Sequence, residues 1–323
     1  MRQATLEVIV PGPLTTVQDR GRTGFRHVGV ARAGALDPDA AALANRLVGN
    51  ADDAAVLEMT LAGVTLAFDV PLRVALCGAL ADMAHIARDG TCTSLGHGRP
   101  LRLPPGRLRV GRLRLGVRAW LAIAGTVSLP QVMGSRSTDL RGGFGGLGGR
   151  ALARGDRVSM RVPALDVDTP SGPSWWVEFD DPIDHGVDLH YVPSAHPAAA
   201  GLAAGAWTVD PRSNRQGLRL QGPALESPRM DIVSGPVAPG TLQLPPDGHP
   251  IVLLADAQTT GGYPRLGHVC AADLPRLAQV APGQRIRWTP VDLEGSRVLR
   301  RQRQARWKRL AHLLDTRLDP WMG

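Results

Sequence analysis

Residues 101–123 read Leu101-Arg102-Leu103-Pro104-Pro105-Gly106-Arg107-Leu108-Arg109-Val110-Gly111-Arg112-Leu113-Arg114-Leu115-Gly116-Val117-Arg118-Ala119-Trp120-Leu121-Ala122-Ile123. Apolar residues alternate with arginine at Leu101–Leu103, Leu108–Val110 and Leu113–Leu115. That is the period of a strand with one face in solvent. Glycine and proline punctuate at short intervals, so four short strands are expected, the last at Ala119–Ile123. The same grammar extends outward. Residues 5–10, 57–61, 64–68 and 72–77 read as strands. One amphipathic helix interrupts them at 38–48, with Asp37 as its cap, Pro38 at its first position and Gly49-Asn50 at its end. Many short strands with few helices predict a mainly β fold, a barrel or a sandwich.

The chain has 323 residues, 43% of them apolar, room for one large domain or two ordinary ones. No run of 18 apolar residues predicts a transmembrane helix, and Glu7 spoils a signal-peptide reading of the N-terminus. Cys77, Cys92 and Cys270 have neither disulfide-framework nor zinc-site spacing. A cytoplasmic location is expected, with no membrane and no metal. The net charge of +8 is concentrated: residues 296–323 hold eight cations against two acids, so the rest is nearly neutral. A nucleic-acid partner is therefore not expected. Lys308 is the only lysine. A phosphate loop ending in lysine is excluded, as is a covalently carried biotin or lipoate.

Residues 163–174 have linker composition and divide an N-terminal β-barrel domain, 1–162, from a C-terminal one, 175–294. A basic helical tail, 295–323, follows. Arg22-Thr23-Gly24-Phe25-Arg26-His27-Val28-Gly29 and Arg215-Gln216-Gly217-Leu218-Arg219-Leu220-Gln221-Gly222 share the pattern R-x-G-apolar-R-x-x-G, a single match that either two barrels of one kind in tandem or chance would give.

No standard catalytic motif is present. Polar clusters stand instead at strand ends: Gln18-Asp19-Arg20, Arg136-Ser137-Thr138-Asp139, Arg212-Ser213-Asn214-Arg215, and Asp256 to Tyr263. The arginines could hold a carboxylate or be structural ion pairs. Asp139 or Asp256 could orient an arginine or move a proton. Gln258, Thr259 and Thr260 could hold an amide, with Gly261-Gly262 letting the backbone approach it; a tight hairpin is the rival reading. The glycine run 142–149 is either a nest of backbone N–H groups for an anion or a linker.

Longer motifs then become recognisable. Pro11-Gly12-Pro13-Leu14-Thr15-Thr16-Val17-Gln18-Asp19-Arg20-Gly21-Arg22, Ala44-Asn45-Arg46-Leu47-Val48-Gly49-Asn50 and Leu57-Glu58-Met59-Thr60 come first. Gly134 to Asp139, Asp210 to Arg215 and Ala255 to Pro264 complete the set. From about residue 5 to 292 the chain resembles the allophanate hydrolase subunit 2 family, also called the biotin-dependent carboxyltransferase family. The resemblance implies cyclophilin-like β-barrels. It also implies a role like that of the C subunit of an ATP-dependent 5-oxoprolinase, which with the A and B subunits opens 5-oxoproline to glutamate. ATP would be used by the assembled complex. A second implied role is carboxyl transfer in a urea or amide carboxylase, with biotin on another chain. A third is a non-catalytic regulator of a subunit-1-type partner.

On the residues that match, the resemblance suggests a site for a small amide. Asp139, Asp256 and Tyr263 would be catalytic. Arg20, Arg136, Ser137, Arg212, Asn214, Arg215, Gln258, Thr259, Thr260, Gly261 and Gly262 would bind substrate. The chain departs from the family at Ser234-Gly235-Pro236-Val237, where Ser-Glu-Gly-Val is usual, and at Gly125-Thr126, where Gly-Gly is usual.

Overall fold

A computed structural model describes residues 1–226 and 233–322. The chain forms two compact units. Residues 1–22, 33–182 and those from 311 onward make the first; residues 23–32 and 183–310 make the second.

Ten strands of the first unit form one sheet. Its path runs through Leu14–Gln18, Val56–Thr60, Gly106–Ile123, Thr65–Phe68, Arg2–Val10, Arg157–Val162 and Thr126–Val127, each paired antiparallel to the next. The strand Leu72–Ala87 pairs along Gly106–Ile123 and also carries Cys92–Leu95 and Leu101–Leu103. Three of the expected short strands are therefore one 18-residue strand. Its glycines do not turn the chain. Leu115 at φ 53° and Gly116 at φ 144° bend it, and register shifts between Gly78/Leu80 and Ala81/Met83 absorb the irregularity.

The arginine alternation has its expected consequence. Leu108, Val110 and Leu113 are buried, whereas Arg107, Arg109, Arg112 and Arg114 are exposed. From Val117 on both faces are covered, because helix α1, Pro38–Leu47, packs on this strand and on Leu72–Ala87. The Asp37 carboxylate accepts from the N–H groups of Asp39 (3.0 Å) and Ala40 (2.9 Å), so the predicted cap forms. Leu43, Ala44 and Leu47 enter the interior. The motif asparagines prove structural. Asn45 Nδ2 donates to Ala54 O, and Asn50 Nδ2 donates to Asn45 Oδ1 and Ile123 O.

In the second unit seven strands close a barrel. The order is Gly186–Pro193, Arg265–Val269, Thr241–Gln243, Ile251–Leu253, Gly217–Gln221, Trp207–Val209 and Arg285–Pro290. The parallel pairing of Gly186–Pro193 with Arg285–Pro290 completes the ring. Leu189, Tyr191, Trp207, Leu242, Leu266 and Trp288 are buried. Polar tips find partners: Tyr191 donates its hydroxyl to Ala199 O at 2.9 Å, and Trp207 donates Nε1–H to Leu202 O at 2.7 Å. Both acceptors belong to the short helix α2, Ala199–Ala204. The mainly β expectation holds.

The tail read as helical over 295–323 forms helix α3, Leu293–Met322. Within the first unit its last turns bury Leu314 and Leu318, pair Asp315 with Arg46 at 2.7 Å, and offer Trp321 O to Arg73. No helix among the described residues is long and apolar enough to cross a membrane. Ser171, in the stretch read as a linker, exchanges both backbone hydrogen bonds with Arg102.

Candidate functional site

In the first unit the sequence clusters Gln18–Arg20 and Arg136–Asp139 come together around one carboxylate. The strand Leu14–Gln18 delivers Asp19 to its end. Asp19 Oδ1 accepts from Gly21 N (2.8 Å), Ser135 Oγ (2.5 Å) and Ser137 Oγ (2.6 Å), and Oδ2 accepts from Arg136 N (2.6 Å). Gln18 is fully buried; it donates to Thr16 Oγ1 and Thr138 O and accepts from Gly34 N. Arg22 is 1% exposed, donates to Val132 O and Ser137 O, and lies 4.6 Å above the Phe144 ring. These groups lock the loop 132–144 onto the strand end.

Asp139 takes the N–H groups of Arg141 (3.1 Å) and Gly142 (2.8 Å), a local turn rather than a grip on an arginine. The guanidinium of Arg136 is half-buried and donates from Nε to Leu129 O at 3.0 Å. Arg20 is exposed, on an open cleft shared with Arg46 and Asp52.

Most of the N–H groups of the glycine run are already taken. The N–H groups of Gly142, Gly143, Phe144, Gly146 and Gly149 all go to acceptors of the loop itself: the Asp139 carboxylate, Asp139 O, Arg136 O and Gly145 O. The run packs so closely because a Cβ on Gly145 would collide with Ser137 O, and one on Gly149 with Gly143.

In the second unit the structure joins Arg215 to Asp256. Both are 3% exposed, and the guanidinium meets the carboxylate through two hydrogen bonds, 2.9 and 3.0 Å. Arg212 is tied instead to Asp210, again through two nitrogens. The hydrogen bonds from Arg212 hold the Asp210 carboxyl well below the usual carboxylate range. Asn214 accepts from Gln216 N, closing a turn. Within the motif Asp210–Arg215, Arg212 is thus used internally, whereas Arg215 reaches Asp256 and Asp210 also accepts from Gln221.

The glycine turn forms a two-stranded ribbon in which Thr260–Gly261 pairs with Gly235–Pro236. The departure from the usual Ser-Glu-Gly-Val falls in this ribbon. Val237 N donates to Thr259 O at 2.9 Å. The side chains of Gln258, Thr259 and Thr260 have no hydrogen bond among the described residues, and Tyr263 is 45% exposed. Gly262 follows, half-buried.

Two residues here escaped the sequence reading. Arg26 donates to Val237 O and to Gln258 O; burial, and next Arg32, push its pKa down. Gln243 is 1% exposed, and its Nε2 lies where a Cβ on Gly261 would come within 2.6 Å. For Arg26 the repeated R-x-G-apolar-R-x-x-G pattern was a usable signal. Its leading arginines, Arg22 and Arg215, are both buried and both hold a polar cluster of their own unit.

The carboxyltransferase domain, subdomains A and B, matches residues 28–290. The chain belongs to this family. It is 39% identical over 310 residues to the C subunit of the Escherichia coli 5-oxoprolinase, covering 95% of this chain and 97% of that one. The protein of the same description from Haemophilus influenzae is 33% identical, covering 93% of this chain and 96% of its own. Among solved structures, the Kluyveromyces lactis urea carboxylase superposes with a TM-score of 0.82 at 27% identity, over 94% of this chain but 29% of that longer one. For a carboxyltransferase-domain protein, then, the clusters read from sequence are real neighbourhoods. Most of their charged groups, however, are used to hold loops.

Proposed function

We propose that the chain is the C subunit of an ATP-dependent 5-oxoprolinase, acting with the A and B subunits to open 5-oxoproline to glutamate. The supporting observation is the likeness to the Escherichia coli protein across nearly the full length of both. In the first unit, Arg136 is the residue offered to a carboxylate. In the second unit, taken by itself, Gln258, Thr259, Thr260 and Tyr263, whose side chains have no hydrogen bond among the described residues, are the groups offered to an amide and to proton traffic. Asp139, Asp256 and Arg215 are positioning residues, acting through the loops they hold. ATP is used by the assembled complex. With Lys308 as its lone lysine, outside any glycine-rich loop, this chain has no phosphate loop of the lysine type.

Co-expression of the chain with the A and B subunits, assayed for ATP-dependent glutamate release, tests this. The complete set should be active, and any subset should not. A complete but inactive set would sink the proposal. The superposition on a urea carboxylase favours a second reading, carboxyl transfer to an amide from biotin on another chain. Biotin-dependent carboxylation of urea by the same set would select it.

A further inference from the structure

The first unit carries a half-open cavity of about 380 Å³ lined by Gly49, Asn50, Arg73, Gly125, Thr126 and Arg136, among others. Ligand pockets span about 300–1,000 Å³, so this one suits a small molecule. Among the described residues its lining includes two arginines and no carboxylate.

Arg73 is only 5% exposed. It donates from Nε to Val48 O (3.1 Å) and from Nη1 to Trp321 O (2.7 Å). Both acceptors are neutral carbonyls, and no carboxylate pairs with it among the described residues. Burial, and then the neighbouring Arg102, work against its charge. Its Nη2 points toward Gly49, where a Cβ would sit 3.4 Å away. Arg136 likewise has a carbonyl partner, Leu129 O, and no ion pair among the described residues. A buried cation without a counter-charge is costly, and Arg73, with the half-buried Arg136 beside the same cavity, calls for an anion.

The walls are built to stay put. Asn50 donates to Ile123 O (2.9 Å) and accepts from Gly125 N (2.8 Å). Gly125 holds φ 119°, and a Cβ there would collide with Arg161 O.

We infer that this cavity binds a small oxyanion, a carboxylate or phosphate group, held by the forks of Arg73 and Arg136. The Thr126 hydroxyl stands ready as a third donor. The role of Arg136 as a carboxylate binder rests on the functional reading above. The cavity's charge does not, and the test uses no catalytic assay, so the two can fail separately.

The full chain is titrated calorimetrically with inorganic phosphate and, separately, with 5-oxoproline, at constant ionic strength. At least one should bind saturably. The arm that binds names the source of the oxyanion, and competition between the two places both in this cavity. Arg136→Gln should weaken binding at least tenfold. Thr126→Trp should abolish it by filling the cavity, leaving the hydrogen bonds of both arginines intact. Arg73→Lys keeps the charge but loses the fork, and should also weaken binding. Should that buried variant fail to fold, wild type against Thr126→Trp still decides. No saturable binding of either probe to the wild type overturns the inference. So does binding unchanged in both Arg136→Gln and Thr126→Trp.

Discussion

Arg215 and Asp256 meet fork to fork, Nε to Oδ2 at 2.9 Å and Nη2 to Oδ1 at 3.0 Å, with both side chains 3% exposed. The backbone repeats the bond, Asp256 N donating to Arg215 O at 3.1 Å. The pair ties the entry of the strand Gly217–Gln221 to the exit of its neighbour Ile251–Leu253. Removing one partner strands a buried charge, whereas removing both need not. Arg215→Ala should therefore cost about 3–5 kcal/mol in urea denaturation. Arg215→Met combined with Asp256→Leu should recover most of that loss. A double variant as unstable as the single one would show that the pair has further duties.

Asp19 should be the weak point of the first unit. It anchors Ser135, Arg136 and Ser137 from 116 to 118 positions away. Hydrogen bonds to a charged group contribute about 1.5–3 kcal/mol each, and these act as one unit. Asp19→Ala should destabilise by at least about 3 kcal/mol, since several donors lose their acceptor together. Amide exchange should accelerate first across residues 132–149. Unchanged exchange there would mean the loop is held by Arg22 alone.

These two hubs show what was legible from sequence and what was not. Asp37-Pro38 and Gly49 marked α1 because a cap and a stop are local signals. The Leu/Arg alternation gave the exposed and buried faces of Gly106–Ile123 for the same reason. The continuity of that strand was hidden, because a glycine looks the same in sequence whether it turns a chain or bends it. The polar clusters were found, but their division of labour was not. Asp19 and Arg215 are charged residues among charged residues until distant partners close on them. Arg26 stood in the repeated R-x-G-apolar-R-x-x-G pattern, whereas Arg73 and Gln243 carry no motif at all. Their interest comes from burial, which single-residue patterns do not report.

The glycine loop offers a paired test. Gly148 and Gly149 both sit at positive φ, 68° and 72°. A Cβ on Gly148 meets nothing, whereas one on Gly149 runs into the Gly143 backbone. Gly148→Ala should cost only the left-handed backbone penalty, about 1–2 kcal/mol. Gly149→Ala should add an overpacking cost of about 1–3 kcal/mol. Equal losses in the two variants would contradict the packing of this loop.

His85 should make stability depend on pH. It is 1% exposed, and its Nε2 lies 3.0 Å from Pro104 O, so the neutral ring donates there. Burial holds the imidazole below its ordinary value, the bond to Pro104 pulling more weakly the other way. Between the lowered folded value and the unfolded one near pH 6.5, the unfolded chain binds more protons. The contribution of His85 is thus complete above about pH 6.5 and is lost as pH falls toward the folded value. The ring is 6.2 Å from Phe68, so an aromatic replacement keeps the contact. In denaturation series from pH 7.5 to 5, His85→Phe should lose less stability than the wild type. Parallel curves would mean that the imidazole takes up its proton equally in both states.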